Sequence, residues 1–532
     1  MPATFRKGKC TTRLTARRMT TSSAENTRKA GRGGLAIAAA KIYFILVGFI
    51  QQIAFSAILG LNGYGALSTA LSAASIVTNP ITQASIQGMS REVAGASEAE
   101  QPRVLRRVLS FHALLGLVFG LVFSLSAGRV ASALGAPHTA PTLRILGSIL
   151  FFYGIYTPLV GALNGLRRFV AQAALDVIAA TLRTVGLLGG AWLATRAAST
   201  ALDGPAGAAL GFAGAAAMVL LVSIGVVGLG RAGGARPSVR GYAMFLVPLL
   251  FGQGLLNLLF QADGLLLRRF AAESATTAGL GYQAADKFVG AYRAAQLFGF
   301  LPYQLLMSVT FILFPLLASA RASGDKEQVR DYVRSGIRLA VILSGLMSSV
   351  LIAVPAGLID LAYSTEAAEL GGRALRVLGV GLAFLAVLGV MTSALNSLGG
   401  ERGSLLVTAA ALGLVVISCF VFVRGQALSA DLLVRTAWAT SAGLVLATLL
   451  AAGLLARVAG GVVAPLTLLR SGAAVAISAT LGANLGFGGP MGTVVSAAVV
   501  AASYVGVLGL ARELGPDDLA RLRAVAGRAP RR

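Results

Sequence analysis

The residues of this chain that could do chemistry are charged side chains inside long apolar stretches. Asp176 and Arg183 lie seven positions apart in one stretch, and Asp286 and Arg293 repeat that spacing in another, where Lys287 follows Asp286. Seven residues make two helical turns, about 10 Å of rise, so each pair shares one helical face at two different depths. Cations in such positions suit the oxygens of a phosphate or diphosphate.

A charge in the middle of a bilayer costs roughly 3 kcal/mol on insertion scales, so it should face a partner, the protein interior or water. We therefore interpret Arg183, Lys287 and Arg293 as candidate phosphate-binding cations of an internal cavity. Lys41 either lines the same cavity or extends its ammonium group to the cytosolic surface, and both readings stay open.

Acidic and neutral polar side chains complete this candidate path. For Asp176 and Asp286 we favour pairing with cations on neighbouring helices over contact with a substrate. Amides, hydroxyls and aromatic rings can contact sugars, and the candidates of this kind are Tyr282, Gln296, Gln51, Gln52, Asn79 and Gln83.

The composition indicates that a membrane surrounds these residues. Of the 532 residues, 56% are apolar and only 12% are charged, about half the charged share of a soluble domain. The net charge of +25 does not indicate nucleic-acid binding, because the cations lie in short segments between apolar blocks and form no basic surface with aromatic residues among them. Such placement is typical of loops held on the cytosolic side of a membrane.

The pattern predicts an all-α integral membrane protein with about 14 transmembrane helices, in two six-helix pseudo-symmetric lobes plus two extra helices. An even number of spans places both termini on one side, and the excess of Lys and Arg predicts that this side is the cytosol. The predicted units are a basic cytosolic tail at 1–34, an N-lobe at 35–230, a C-lobe at 241–458, two extra helices at 465–511 and a second basic cytosolic tail at 512–532.

The eighth apolar block, near 280–317, is too long for a single ideal span. We expect it to bend at Pro302 or to end in a cytosolic extension near Pro315.

A repeated phrase supports the two lobes. The segment "ALNGLRRFVAQ" begins at Ala162 and "ALNSLGGERGS" begins at Ala394, and the helices before them share an arginine at the same offset, Arg144 and Arg376. Six helices per copy is an even number, so the two copies form a parallel repeat, which favours a transporter with a central cleft. Arg144 and Arg376 both fall at outer helix ends, where they either extend to the interface or act at the outer mouth.

One stretch, residues 261–332, resembles a known family. It is similar to the Wzx-type polysaccharide and lipid-linked oligosaccharide flippases of the MATE-like (MOP) exporter superfamily. The shared parts are Asp263, the triplet Leu265–Leu267, Arg268, Gly281 with Tyr282, Phe314 with Pro315, and the charged loop Asp325–Arg330. The charges in "AADKFVGAYRAA" depart from the pattern of the family.

The resemblance implies a flippase that moves an undecaprenyl-diphosphate-linked oligosaccharide, a surface polysaccharide or O-antigen precursor, across the bacterial cytoplasmic (inner) membrane by alternating access. Its partners would be that lipid-linked glycan, membrane lipids, and glycan polymerase or glycosyltransferases of the same pathway, with no nucleic acid.

Two alternatives use the same scaffold. A lipid II flippase of peptidoglycan synthesis would usually carry arginines in its first helix, where this chain has Lys41. A MATE-type drug or cation antiporter would need an acid in the first two apolar blocks, which contain none.

Enzyme chemistry has little support in the sequence. No glycine-rich phosphate loop precedes a Lys-Ser or Lys-Thr pair, and every predicted outer loop is too short for the catalytic domain of a glycan polymerase or ligase. Cys10, Cys419, His112 and His138 show no metal-binding spacing, so we predict a transporter with no cofactor and no metal. We interpret His112 as structural.

Overall fold

The computed structural model describes residues 11–197, 202–233 and 239–515, and the regular elements in this part are all helical. The predicted all-α class is confirmed for these residues. Residues 1–10 and 516–532 of the predicted basic tails lie outside them. The helices are α1 Thr11–Gly95, α2 Gln101–Ala133, α3 Ala140–Gly165, α4 Phe169–Arg196, α5 Gly204–Val227, α6 Val239–Thr277, α7 Ala284–Gly299, α8 Leu301–Ala322, α9 Lys326–Ala353, α10 Pro355–Asp360, α11 Thr365–Ser397, α12 Glu401–Phe422, α13 Ala430–Ala459, α14 Pro465–Ala483 and α15 Gly489–Leu510, with a 3-10 helix at Pro137–Thr139.

Twelve helices in the described part are long and apolar enough to cross a membrane. Large apolar side chains such as Leu125, Met491 and Leu510 stand exposed on them, as lipid-facing positions require. Two places account for the difference from the predicted fourteen. The first candidate, Ala36–Gly95, is 60 residues long and therefore about twice the length of one span. The other is the eighth predicted block, which the structure divides between α7 and α8.

Both of these places have a local cause in the sequence. Within α1, Gly60 has φ 68° and ψ 176°, a conformation that residues with a Cβ rarely adopt, so the helix is broken there. Between α7 and α8, Pro302 lies in the first turn of α8, where its missing N–H costs no helical hydrogen bond. The break at Phe300 is adjacent to the bend that the sequence predicts.

Most helix contacts fall within two sets of helices, and α1 makes the main contact between the sets. Helices α1 to α5 contact one another, and α11 contacts α7, α8, α9 and α13. Across the two sets, α1 packs against both α6 and α7, and we call this contact surface the seam. Helices α14 and α15 pack against each other and against α9.

The two backbones come closest at the crossing of α1 and α7 in the seam. A Cβ built on Gly65 would overlap the carbonyl oxygen of Asp286, and one built on Gly290 would overlap the carbonyl oxygen of Leu61. Glycine on each helix therefore permits an approach that any larger residue would prevent. Asp286 and Lys287 lie at this crossing, toward the end that the sequence predicts to be extracytoplasmic, which we call the outer end.

Candidate functional site

A buried carboxylate, that of Asp263 on α6, organises the centre of the bundle. Asp263 is only 3% exposed. Its Oδ2 accepts hydrogen bonds from the Tyr292 hydroxyl at 2.8 Å, from Gln296 Nε2 at 2.8 Å and from the Thr440 hydroxyl at 3.2 Å. Its Oδ1 accepts from the backbone N–H of Gly264 at 2.7 Å. Four donors satisfy the carboxylate, and they connect α6 to α7 and α13.

Arg293 lies beside this carboxylate, and its hydrogen bonds go to neutral oxygens. Nη1 donates to Gln296 Oε1 at 2.7 Å, and Nη2 donates to Gln261 Oε1 at 2.7 Å. Nη2 also donates to the hydroxyl of Ser72, a buried residue of α1 on the other side of the seam. The guanidinium therefore joins the two sides of the seam. Gly264 gives it room, because a Cβ there would lie 3.0 Å from Nη2.

Asp286, two turns earlier on α7, has a different set of partners. Arg268 Nε lies 3.0 Å from Oδ1, and the Arg268 side chain is wholly buried. Arg268 Nη2 also donates to the Tyr282 carbonyl at 3.2 Å. His138 Nε2 lies 2.8 Å from Oδ2. The pairing across helices that the sequence favours for Asp286 is present, with Arg268 on α6 as the cation.

Lys287 does not join Arg293. It pairs with Glu366 in the first turn of α11, and both side chains are substantially exposed. The reason is helical geometry, since six residues separate Lys287 from Arg293 and place them on different faces of α7. The structure therefore does not bring these two candidate cavity cations together.

Arg183, on α4, lies in the first set of helices. Its guanidinium carbon sits 5.1 Å from the centre of the Phe212 ring on α5, within cation–π range. Its Nε is buried without a hydrogen-bond partner among the described residues. Asp176, two turns earlier on α4, is half-buried and close enough to Lys41 to feel its charge. Arg183 is thus the predicted cation with an unused buried donor.

The predicted amides of the first helix make contacts inside the bundle. Gln51 Oε1 accepts from the Thr184 hydroxyl at 3.0 Å, and Gln52 Oε1 accepts from the Tyr64 hydroxyl at 3.2 Å. The Tyr64 hydroxyl is also 3.4 Å from that of Tyr363, which precedes α11. These bonds fix α1 to α4 and connect it to the second set of helices.

Other polar candidates lie along the seam or at the outer surface. Asn79 on α1 donates through Nδ2 to Asn257 Oδ1 on α6 at 2.8 Å, and Gln83, one turn later, is exposed. Both Arg144 and Arg376 have exposed side chains. Asn79 therefore adds a polar contact between α1 and α6 at the seam.

Sequence reasoning assigned no site role to Asp263, Arg268 or His138. Asp263 and Arg268 entered only as parts of the family-like motif, although each is a charge within or at the end of an apolar block. That signal could have identified them, because a charge in such a position needs a partner. The partners themselves, such as Ser72 and Thr440, are distant in sequence and carry no comparable signal.

Solved structures share this architecture over almost their whole length. The chain aligns with a structure of the lipid II flippase MurJ in an inward closed conformation with a TM-score of 0.73 at 12% identity, over 90% of this chain and 98% of that one. It aligns with an inward-facing multidrug resistance MATE family transporter of the MOP superfamily with a TM-score of 0.60 at 14% identity, over 80% and 98%. The chain shares the fold of these two solved proteins.

Two further comparisons agree with this fold. A MOP superfamily transporter from Pyrococcus furiosus, described by the reverse polarity of its binding pocket, aligns with a TM-score of 0.57 at 15% identity, over 80% of this chain and 95% of that one. Residues 248–421, from within α6 to within α12, match the MatE family model. No curated protein matches the sequence.

Proposed function

We propose that this MOP-fold chain is a flippase that moves an undecaprenyl-diphosphate-linked oligosaccharide across the bacterial cytoplasmic membrane by alternating access. The observation that carries the proposal is the position of Arg293. Its guanidinium is held at the seam by Ser72 on one side and by Gln261 and Gln296 on the other.

Neutral acceptors make this arrangement reversible. When α1 moves away from α6 and α7, Nη2 loses the Ser72 hydroxyl and becomes free for a phosphate oxygen, a stronger acceptor because it is charged. The four donors on Asp263 keep that carboxylate occupied, so it competes poorly for the released guanidinium. A diphosphate headgroup would thus replace the Ser72 hydroxyl as the acceptor for Arg293 Nη2.

Alternating access requires two lobes, and the packing supports them. Helix α3 packs on α1, α2 and α5, and α11 packs in the same way on α7, α8, α9 and α13. If the break at Gly60 divides α1 into two spans and α7 with α8 forms one, the count becomes the fourteen that the sequence predicts, in six, six and two. Both termini would be cytosolic.

The proposal also assigns roles to other candidate residues from the sequence analysis. Arg183, with its unused Nε, is a second phosphate-binding cation inside the first lobe. Asn79, Gln83, Gln51 and Gln52 would contact sugars as the seam opens. Lys41 with Asp176 would stand near the cytosolic entrance. Lys287, Tyr282, Arg144 and Arg376 would act at the outer mouth.

A lipid II flippase is the second candidate, and one observation favours it. The alignment with the solved lipid II flippase covers 90% of this chain, against 80% for the inward-facing MATE transporter. Both flippase substrates present a diphosphate on a polyprenyl chain, so Arg293 suits either. A drug or cation antiporter is less well supported, because the first two apolar blocks contain no acid.

The test compares substrates in proteoliposomes that contain the purified full-length protein. Fluorescent undecaprenyl-diphosphate oligosaccharide and fluorescent lipid II are supplied in separate vesicles, and a membrane-impermeant quencher reports how much has crossed. Faster crossing of the oligosaccharide than of lipid II is expected. Faster crossing of lipid II would transfer the proposal to peptidoglycan synthesis, and crossing of neither above protein-free vesicles would reject it.

A further inference from the structure

A contact at the outer end joins the two sets of helices and contains a histidine. His138 lies in the 3-10 helix between α2 and α3, and Asp286 lies in the first turn of α7. The distance from His138 Nε2 to Asp286 Oδ2 is 2.8 Å, with side chains 18% and 6% exposed. The α2–α3 connection thus reaches across the molecule to the helix that carries Arg293.

The carboxylate of Asp286 is shared between this histidine and a fixed charge. Arg268 occupies Oδ1 from a fully buried position, and arginine keeps its proton in proteins. Oδ2 is left facing the imidazole. Both ring nitrogens of His138 are buried, and neither has a well-aligned hydrogen-bond partner among the described residues. The imidazole is therefore held beside a carboxylate oxygen with its own bonding capacity unfilled.

Water can approach this contact from outside. A cavity of about 390 Å³ opens beside it, lined by Pro137, Tyr282, Arg269 and Glu273 among others. The Tyr282 ring stacks on the imidazole with ring centres 5.5 Å apart and planes at 16°. A proton from the outer solution needs only to pass this ring to reach His138.

We propose that His138 is a proton-binding site that controls whether the outer ends of the two lobes stay together. A proton taken from the outer solution onto the neutral imidazole turns its contact with the Asp286 carboxylate into an ion pair. When the lobes part, that ion pair is lost. A low outer pH therefore favours the closed outer end, and a high outer pH removes the effect.

The other ionisable groups around this histidine do not give the same response. Arg269 pairs with Glu273 at 2.8 Å on α6. Arg129 on α2 and Arg144 on α3 are exposed arginines. Tyr64 on α1 and Tyr282 are phenols. Among side-chain types, histidine is the one that ordinarily changes charge near neutral pH, so a response there points to His138.

The experiment measures opening without any substrate. Nitroxide labels are attached at Ser132→Cys on α2 and Glu369→Cys on α11, both exposed, in full-length protein with Cys10→Ser and Cys419→Ala. Double electron–electron resonance then gives the ratio of the shorter to the longer distance at pH 5.5 and pH 8. We expect the ratio to fall about fivefold at the higher pH, the upper end of the range for an exposed ion pair, because this pair is largely buried.

Two substitutions of His138 should shift the ratio of the shorter to the longer distance in opposite directions. His138→Gln should give a low ratio at both pH values, and His138→Arg, with a permanent charge, should give a high ratio at both. His112→Gln is the matched control. That histidine bonds to Ser85 and, between α2 and α6, to Tyr242, away from this contact, so the variant should leave the change of the ratio with pH as in the wild type, whatever its effect on the absolute ratio. The inference is overturned if the ratio in His138→Gln still changes with pH as it does in the wild type. It is also overturned if the wild-type ratio does not change with pH.

The inference rests on the proposed opening of the two lobes but not on the substrate. If neither glycan lipid crosses the vesicles while the distances still respond to His138, the proposed function fails and the proton site stands. If the lipids cross while the distances do not change with pH, the proton site fails and the proposed function stands.

Discussion

Arg268 and Asp286 form an ion pair, with 3.0 Å between Nε and Oδ1, in which the arginine side chain has no exposed surface. Removing one partner leaves the other charge buried and alone, which typically costs about 3–5 kcal/mol. We therefore expect Asp286→Asn and Arg268→Gln each to lower the apparent melting temperature in detergent strongly, and the double variant to lose much less than the sum.

The matched control for this pair is Arg373 with Asp431, at 2.8 Å but with both side chains mostly exposed. Arg373→Gln should change stability by about 0–1 kcal/mol. Equal losses from the two ion pairs would contradict the role assigned to burial.

The close approach of α1 and α7 predicts a strong effect from one methyl group. Gly65→Ala or Gly290→Ala would place a Cβ onto a backbone carbonyl oxygen, so the helices must separate at the crossing. We expect a lower apparent melting temperature and a population with the outer end open. Gly189→Ala on α4, whose Cβ would meet nothing within 4 Å, should be neutral or stabilising by up to about 1 kcal/mol. Size-exclusion chromatography and thermal melts give the readout, and an unchanged Gly65→Ala variant would argue against this packing.

Arg293 should matter for transport more than for folding. Arg293→Gln removes the cation, and we expect the flipping rate of the glycan lipid to fall by about tenfold or more, since charged hydrogen bonds contribute about 1.5–3 kcal/mol. Arg293→Lys should retain part of the rate. The control is Arg457→Gln at the exposed end of α13, which should flip at the wild-type rate. A fully active Arg293→Gln variant would remove this residue from the substrate path.

Glu513 predicts an acid-sensitive contribution to stability. Burial raises its pKa, but hydrogen bonds from Arg338, Thr467 and Arg470 outweigh burial and hold the pKa below the usual glutamate value of 4.5. A depressed pKa means that the contribution is complete at neutral pH and is lost as the pH falls through the folded-state pKa.

Glu513→Gln should therefore be less stable than the wild type by about 1–3 kcal/mol at pH 7. The gap between their melting temperatures should stay constant down to about pH 4.5 and narrow below it. Glu369→Gln, at an exposed carboxylate on α11, is the control and should track the wild type throughout. A gap that narrows instead on the alkaline side would contradict the assignment.

Much of the architecture could be predicted from one sequence because lipid imposes a simple rule. Apolar blocks of spanning length must be helices, which gives the all-α class and the position of Arg293 on its helix. The break beside Pro302 also follows from local chemistry, since proline lacks an N–H. The break at Gly60 does not, because many of the 66 glycines lie in continuous helix.

The candidate site was less predictable, because its contacts join distant segments. Arg293 bonds to Ser72, 221 positions away, and Asp263 accepts from Thr440, 177 positions away. Nothing in one sequence reports such pairs. Lys287 is a different case. Helical geometry alone fixes the angle between the Lys287 and Arg293 side chains around the axis of α7, and that angle already separates the two cations.

Helices α14 and α15 lie apart from the central polar contacts. Their main packing is on α9, with a smaller contact between α15 and α10, and Glu513 binds Arg338 of α9 and Arg470 of α14. Neither helix supplies a residue to the contacts of Arg293, Asp263 or Asp286 described above. Truncation before Pro465 would thus expose one side of α9 to lipid and leave the contacts of Arg293, Asp263 and Asp286 complete. Helices α14 and α15 can therefore change in sequence without changing those central contacts.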